Sequence, residues 1–164
     1  MKKLTLTFDS IDLYSLRNQK EFNDYILSLK GVLESNISCN DDGTVTFNIT
    51  YDDNIIKDKI LCIEIKTFLK QYRYPSLILF DKHFDGNIDK KTIKKTICCE
   101  FCFKIAIEDL FDIDEIVKVE NNYIERYIEN YTSLDEGEDI LTIYYDKDKF
   151  DSCKIDEIIK ALNI

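Results

Sequence analysis

The chain repeats one hydrophobic pattern twice, and this repetition constrains its fold more than any other feature. Each half reads as strand, helix, strand, strand, helix, and a period of about 80 residues marks one supersecondary unit used twice. Units of that size bury only about 60% of the surface that their unfolded chains expose. Two of them within 164 residues are therefore expected to pack against each other rather than stand apart. The pattern divides the chain into residues 1–82 and 83–164.

In the first half, Leu4, Leu6 and Phe8 alternate with Thr5 and Thr7, the period of a half-buried strand. Phe22, Ile26 and Leu29 recur at helical spacing with Tyr25 beside them, and Lys30-Gly31 ends that helix. Residues 32–38 and 44–51 flank Asn40-Asp41-Asp42-Gly43, a hairpin turn sequence, so Val45, Phe47 and Ile49 should face one side. Ile56, Ile60, Ile63, Phe68 and Leu69 mark a second helix, and residues 74–80 a closing strand. The order is βαββαβ.

The stretch 81–91 holds the sole histidine, His83, with a glycine and many charges, and reads as a connector. Residues 92–97 form a weak strand. Cys102, Ala106 and Leu110, with Phe103 and Ile107 on the neighbouring face, predict a helix over 99–111. Ile113, Ile116, Val117 and Val119 resume strand spacing, residues 140–145 form a strong strand, and Ile155, Ile158, Ile159 and Leu162 make a final helix. Between the last two strands, residues 122–138 carry Tyr123, Tyr127 and Tyr131 amid acids, which reads as an elaborated loop with a helical turn. No closing strand follows, so the second sheet has three strands or borrows an edge.

With 45% hydrophobic and 33% charged residues, one proline and four glycines, the composition is that of a folded protein. A net charge of -10 repels phosphate backbones and anionic lipid, which argues against nucleic-acid and membrane partners. Lys90-Lys91 and Lys94-Lys95 form the one small basic patch. The first nine residues alternate rather than run apolar, and no stretch approaches the ~20 residues of a membrane span, so a cytoplasmic location is expected. There the six cysteines, Cys39, Cys62, Cys98, Cys99, Cys102 and Cys153, stay thiols.

Only Cys98-Cys99-Glu100-Phe101-Cys102 invites chemistry. Two thiolates three residues apart at a helix start can converge on one ion, and the terminal N–H groups and dipole favour the ionised form that metals require. Such a pair suits Cu(I) without further ligands. Zn(II) wants two more, for which Cys98, Cys153 and His83 are the candidates. The competing reading is packing: Cys99, Cys102, Ala106 and Leu110 lie on one helical stripe, and cysteine packs as a small hydrophobe. Thiol–disulfide exchange needs a thioredoxin-like order of elements that this chain lacks. Asp146-Lys147-Asp148-Lys149-Phe150-Asp151 with Glu157 mimics a calcium loop, but Phe150 fills a ligand place and Asp151 the glycine place, so a solvated loop and helix cap is expected. No hydrolase, kinase or zincin motif is present, which points away from an enzyme.

On these residues the second half resembles the heavy-metal-associated domain family, the ferredoxin-like modules of copper chaperones and of the amino-terminal tails of metal-transporting ATPases. That family places Gly-Met-x-Cys-x-x-Cys before its first helix. Thr96 and Ile97 stand in the Gly and Met places, Cys98 in the x, and Cys99 and Cys102 on the two cysteines. Asp114-Glu115 replaces the family's Pro-Gly turn. In the first half the same spacing, counted back from Lys30-Gly31-Val32, lands on Ser15 and Asn18, so that copy lacks the metal ligands. The resemblance implies an α+β protein of two ferredoxin-like units packed as a pseudo-dimer, the second lacking a clear last strand. It also implies soft-metal handling rather than catalysis, with Cys99 and Cys102 as ligands to Cu(I) or Zn(II), Cys98 auxiliary, and a metal transporter or other protein as partner. The alternative is a protein-interaction module on a degenerate scaffold that no longer binds metal.

Overall fold

A computed structural model describes residues 1–9, 15–72, 76–97, 104–126 and 136–164. The chain is α+β and forms two compact units, Met1–His83 and Phe84–Ile164. The first unit runs β1 (Lys2–Asp9), α1 (Leu16–Ser28), β2 (Val32–Cys39), β3 (Thr44–Tyr51), α2 (Asp58–Leu69) and β4 (Ser76–Lys82). Its strands are antiparallel in the order β2-β3-β1-β4. The second unit runs β5 (Ile88–Ile97), α3 (Lys104–Phe111), β6 (Ile116–Arg126), β7 (Glu136–Asp146) and α4 (Ser152–Ala161). Its own strands take the order β6-β7-β5, again antiparallel, so the third strand of each unit lies between the second and the first.

Alternation builds the first core. Leu4, Leu6 and Phe8 of β1 and Val45, Phe47, Ile49 and Tyr51 of β3 are buried on one face, matched by the register that sets Leu4 against Ile49, Leu6 against Phe47 and Phe8 against Val45. Phe22 of α1 lies 4.5 Å from Phe47 between ring centroids and 5.2 Å from Phe68 of α2, so both helices cover that face. Tyr25 stacks on Phe68 and donates to Glu64 at 2.5 Å, joining the helices side by side. The opposite sheet face is polar. Thr5 donates to Asn48, Thr7 and Thr46 share a hydrogen bond, and Asn40 donates to Thr44 and Thr46.

The repeat extends to individual backbone bonds. In the first unit, Leu29 N–H bonds Ile26 O, Val32 N–H bonds Leu29 O, and Asp52 N–H bonds Gly31 O. In the second, Ile113 N–H bonds Leu110 O, Ile116 N–H bonds Ile113 O, and Asp146 N–H bonds Glu115 O. Each second strand opens on a bulge, at Val32/Glu34 and at Ile116/Lys118. A Tyr-Asp pair marks the end of each third strand, with Tyr51 the last residue of β3 and Asp52 just after it, and Tyr145-Asp146 in β7. The Asp side chains then cap the next turn, Asp52 accepting from Asn54 N–H and Asp146 from Asp148 N–H. Gly31 differs from its counterpart Glu115. Its φ is +102, and a Cβ there would meet the Ile55 and Ile56 methyls at 2.9 Å, so only glycine fits.

Four expectations need correction. In α2 the buried residues are Leu61, Cys62, Ile65 and Leu69, whereas Ile60 and Ile63 are exposed, so the helix turns the other apolar stripe inward. The connector is shorter than 81–91, because Asp81 and Lys82 belong to β4 and β5 already starts at Ile88. Ile113 precedes β6 rather than lying within it. The stretch 122–138 is not a loop at its ends, since β6 runs to Arg126 and β7 begins at Glu136. Tyr123 therefore sits in a strand opposite Asp139 and not on a helical row, while Tyr127 and Tyr131 lie outside the described residues.

Tyr51 and Tyr145 are both buried, and both phenols are pushed above their ordinary value of 10.0. Burial is the main cause, reinforced by Asp58 and Asp53 around Tyr51 and by Asp89, Asp156 and Asp151 around Tyr145. A raised folded-state pKa favours the protonated phenol, so this stabilisation is complete below pH 10 and is lost as pH rises beyond it. Urea unfolding monitored by circular dichroism should show stability falling by up to about 1.4 kcal/mol per pH unit per tyrosine above that point. The fall should be shallower in a Tyr51→Phe variant.

Candidate functional site

Cys98, Cys99 and Cys102 lie outside the described residues, between the end of β5 at Ile97 and the start of α3 at Lys104. Their counterparts in the first unit are described. The matched bonds pair Ile26 with Leu110, Leu29 with Ile113 and Val32 with Ile116, and counting back in step pairs Ser15 with Cys99 and Asn18 with Cys102. Ser15 is the N-cap of α1, in extended conformation at φ -72 and ψ 131. Its Oγ accepts from Asn18 N–H at 3.4 Å, the usual capping bond to the third helical residue. In the ligandless copy these two positions are therefore adjacent at a helix start.

The remaining thiols are scattered. Cys62 is buried on the inner side of α2, whereas Cys39 and Cys153 are exposed. Gln19 Nε2 donates to Cys39 Sγ at 2.7 Å, which fixes the first turns of α1 over the end of β2. Cys153 falls in the first turn of α4, and His83 follows β4 with its N–H bonded to Lys3 O. Among the described residues, no three His, Cys, Asp or Glu side chains group to hold a metal ion.

The calcium-like segment is a loop and cap. Asp146 accepts from Asp148 N–H, Asp148 accepts from Asn87 Nδ2 at 3.2 Å, and Asp151 is the N-cap of α4, accepting from Lys154 N–H at 2.8 Å. These carboxylates serve the turn, and Lys147, Lys149 and Lys154 share a surface depression with Asp148 and Asp151.

One feature of the second unit escaped the pattern reading. Counting back in step from Tyr51 and Tyr145 pairs Ile49 with Ile143, Phe47 with Leu141, and Val45 with Asp139. Asp139 is 0% exposed and Asn121 6%, on the face that Leu141, Ile143 and Val119 also line. Asn121 Nδ2 donates to Asp139 Oδ1 at 2.5 Å and to Ile140 O at 3.2 Å, while its own Oδ1 has no hydrogen-bond partner. In the first unit the same places hold Val45 and, opposite Phe47, Ile37. The signal was available: period two carried back from Tyr145 reaches Asp139 as an inward residue, but a strand begun at Ile140 hides it.

Among the described residues, no helix is long and apolar enough to cross a membrane. Set against known protein families, curated proteins and solved structures, the chain matches none.

Removing one partner of a buried hydrogen bond leaves the other one bond short, whereas replacing both with fitting apolar groups is close to neutral. Asn121→Leu should therefore destabilise the protein by about 2 kcal/mol. The double change Asn121→Ile/Asp139→Val, which copies the first unit, should recover most of that loss in the same urea titration.

Proposed function

We propose that this chain is a small soft-metal-binding protein built on two ferredoxin-like units, handling Cu(I) or Zn(II) rather than catalysing a reaction. Cys99 and Cys102 are its ligands and Cys98 is auxiliary. The strand order β2-β3-β1-β4 of the first unit, with both helices on one face, supports the ferredoxin-like reading, and the order β6-β7-β5 supports a second copy short of its last strand. A cytoplasmic setting, where thiols stay reduced, belongs to the same reading.

The observation that carries it is the match of Cys99 and Cys102 to Ser15 and Asn18. The side chain at the N-cap reaches the backbone N–H of the third helical residue, and two sulfurs carried at such places can share one ion. The N–H groups of a helix start favour thiolate over thiol, and binding the metal releases the thiol protons. Unit one keeps the geometry with a hydroxyl and an amide, which are not soft ligands.

A second reading, a protein-interaction module that no longer binds metal, is favoured by the exposed Leu27, Leu33, Ile55, Ile60 and Ile63 of the first unit. Titrating the reduced protein with Cu(I) against a competing chelator separates the two. The wild type should withhold one Cu(I) per chain, and Cys99→Ser/Cys102→Ser should lose that affinity by at least about tenfold. Equal retention by both proteins would assign any binding to the thiols the variant keeps, Cys39, Cys62, Cys98 and Cys153, and reject the proposal. Retention by neither would leave the interaction module as the function.

A further inference from the structure

Among the described strands, β2 of the first unit and β5 of the second each pair on one side only, and the sequence treats them differently. β5 pairs with β7 on one side only, and its ten residues include Lys90, Lys91, Lys94 and Lys95. Lysines along an edge repel an incoming strand, a common guard against unwanted pairing. β2 also pairs on one side only, with β3. Its eight residues, Val32-Leu33-Glu34-Ser35-Asn36-Ile37-Ser38-Cys39, carry one charge, no lysine and no proline. Its bulge at Val32/Glu34 leaves the rest of the edge regular. The guarded edge and the unguarded edge belong to one protein, so the lack of a guard on β2 is informative.

The flank of this edge is apolar. Tyr25 points from α1 toward α2, where it bonds Glu64, and Gln19 points toward β2, where it bonds Cys39. At 100° per residue, Leu16 and Leu27 fall on the Gln19 side of the helix, about 20° apart around its axis. They are 83% and 44% exposed, and Leu33 on β2 is 49% exposed. Helix and strand edge thus present one surface, with an apolar residue near each end of α1.

We propose that β2 is the pairing edge for a second copy of this chain, joined antiparallel about a twofold axis perpendicular to the sheet. Such an axis keeps the helices of both copies on one side of a continuous sheet. Strand alternation then admits only registers in which each residue faces a residue of the same face. With Asn36 facing its own equivalent, Glu34 lies opposite Ser38 and Ser35 opposite Ile37. No like charges meet across the pair. The two copies of α1 run antiparallel above it, which brings Leu16 of each toward Leu27 of the other. A surface that complements itself under a twofold is the requirement for a closed, isologous dimer. An unrelated extended peptide would satisfy the strand edge but would leave the two leucines uncovered, and this favours the second copy as occupant. The lysine row on β5 would set like charges face to face in the equivalent pairing, which confines association to β2.

The test is the oligomeric state of reduced, chelator-treated protein, measured by sedimentation equilibrium over a concentration series. The mass should rise from that of the 19.4 kDa chain to twice that value. Asn36→Lys places at an exposed position a lysine that meets its own equivalent across the twofold, so the fold should be retained, as circular dichroism would verify. Its dimerisation should weaken by at least about tenfold. Thr92→Lys on β5 should leave the equilibrium unchanged. A wild type that stays monomeric at every concentration would overturn the proposal, as would a dimer indifferent to the lysine on β2.

Discussion

The central strand of each unit is the constraint on which the rest depends. β3 hydrogen-bonds β1 on one side and β2 on the other, and its inward residues Val45, Phe47, Ile49 and Tyr51 are all buried. Phe47 is the hub. Its ring lies 5.8 Å from Phe8 and 4.5 Å from Phe22, so the strand beside it and the helix above it are fixed by one aromatic cluster. Slipping β3 by one residue would turn every one of these groups to solvent and bring Thr46, Asn48 and Thr50 inward. The register is therefore set by packing, and the backbone bonds that close the corner at Gly31 and Asp52 follow from it.

The second unit repeats the corner bonds, the bulge and the terminal Tyr-Asp with different side chains between them. Backbone geometry is alike where it closes turns, while the filling differs. Where unit one packs Val45 and Ile37, unit two buries Asp139 and Asn121, a polar pair that contributes less to stability than aliphatic groups of similar volume would. β5 takes the place of β1, yet among the described strands it has a neighbour on one side only and it carries lysines where β1 carries Leu4 and Phe8. A strand without a fourth partner is an edge, and its composition follows that position.

Much of the fold was legible because its signals were redundant. The first hairpin is marked by alternation on both sides of Asn-Asp-Asp-Gly, and the strand after it spans Thr44–Tyr51 as the alternation indicates. Less was legible where one pattern fits two geometries. α2 carries an apolar pair at Ile60 and Ile63 and a second apolar stripe through Leu61, Cys62, Ile65 and Leu69. Helical periodicity alone cannot say which stripe faces the sheet, and contact with neighbouring elements decides it. The tyrosine spacing at 123, 127 and 131 matched a helix, but Tyr123 continues a strand, because pairing with β7 extends β6 through it. The polar pair was missed for a related reason. Sequence reading assigns Asp to surfaces, and only register against a matched strand reveals it as inward. Of the candidate metal site, the cysteine spacing was legible in the sequence, and its structural counterpart is the Ser15–Asn18 cap.

The glycine at the end of the first helix makes the two halves unequal in one more respect. Its backbone bends into the left-handed region, and the isoleucines that follow β3 close over the space a side chain would need. The corresponding corner of the second half is turned by Glu115 without any such bend, since Asn163 is the one described non-glycine residue with positive φ. Recombination between the halves is therefore directional: a segment from the first can enter the second without steric conflict at this corner, whereas the reverse transplant drives a side chain into the Ile55–Ile56 methyls. Exchange toward the first half is blocked at that point by geometry alone.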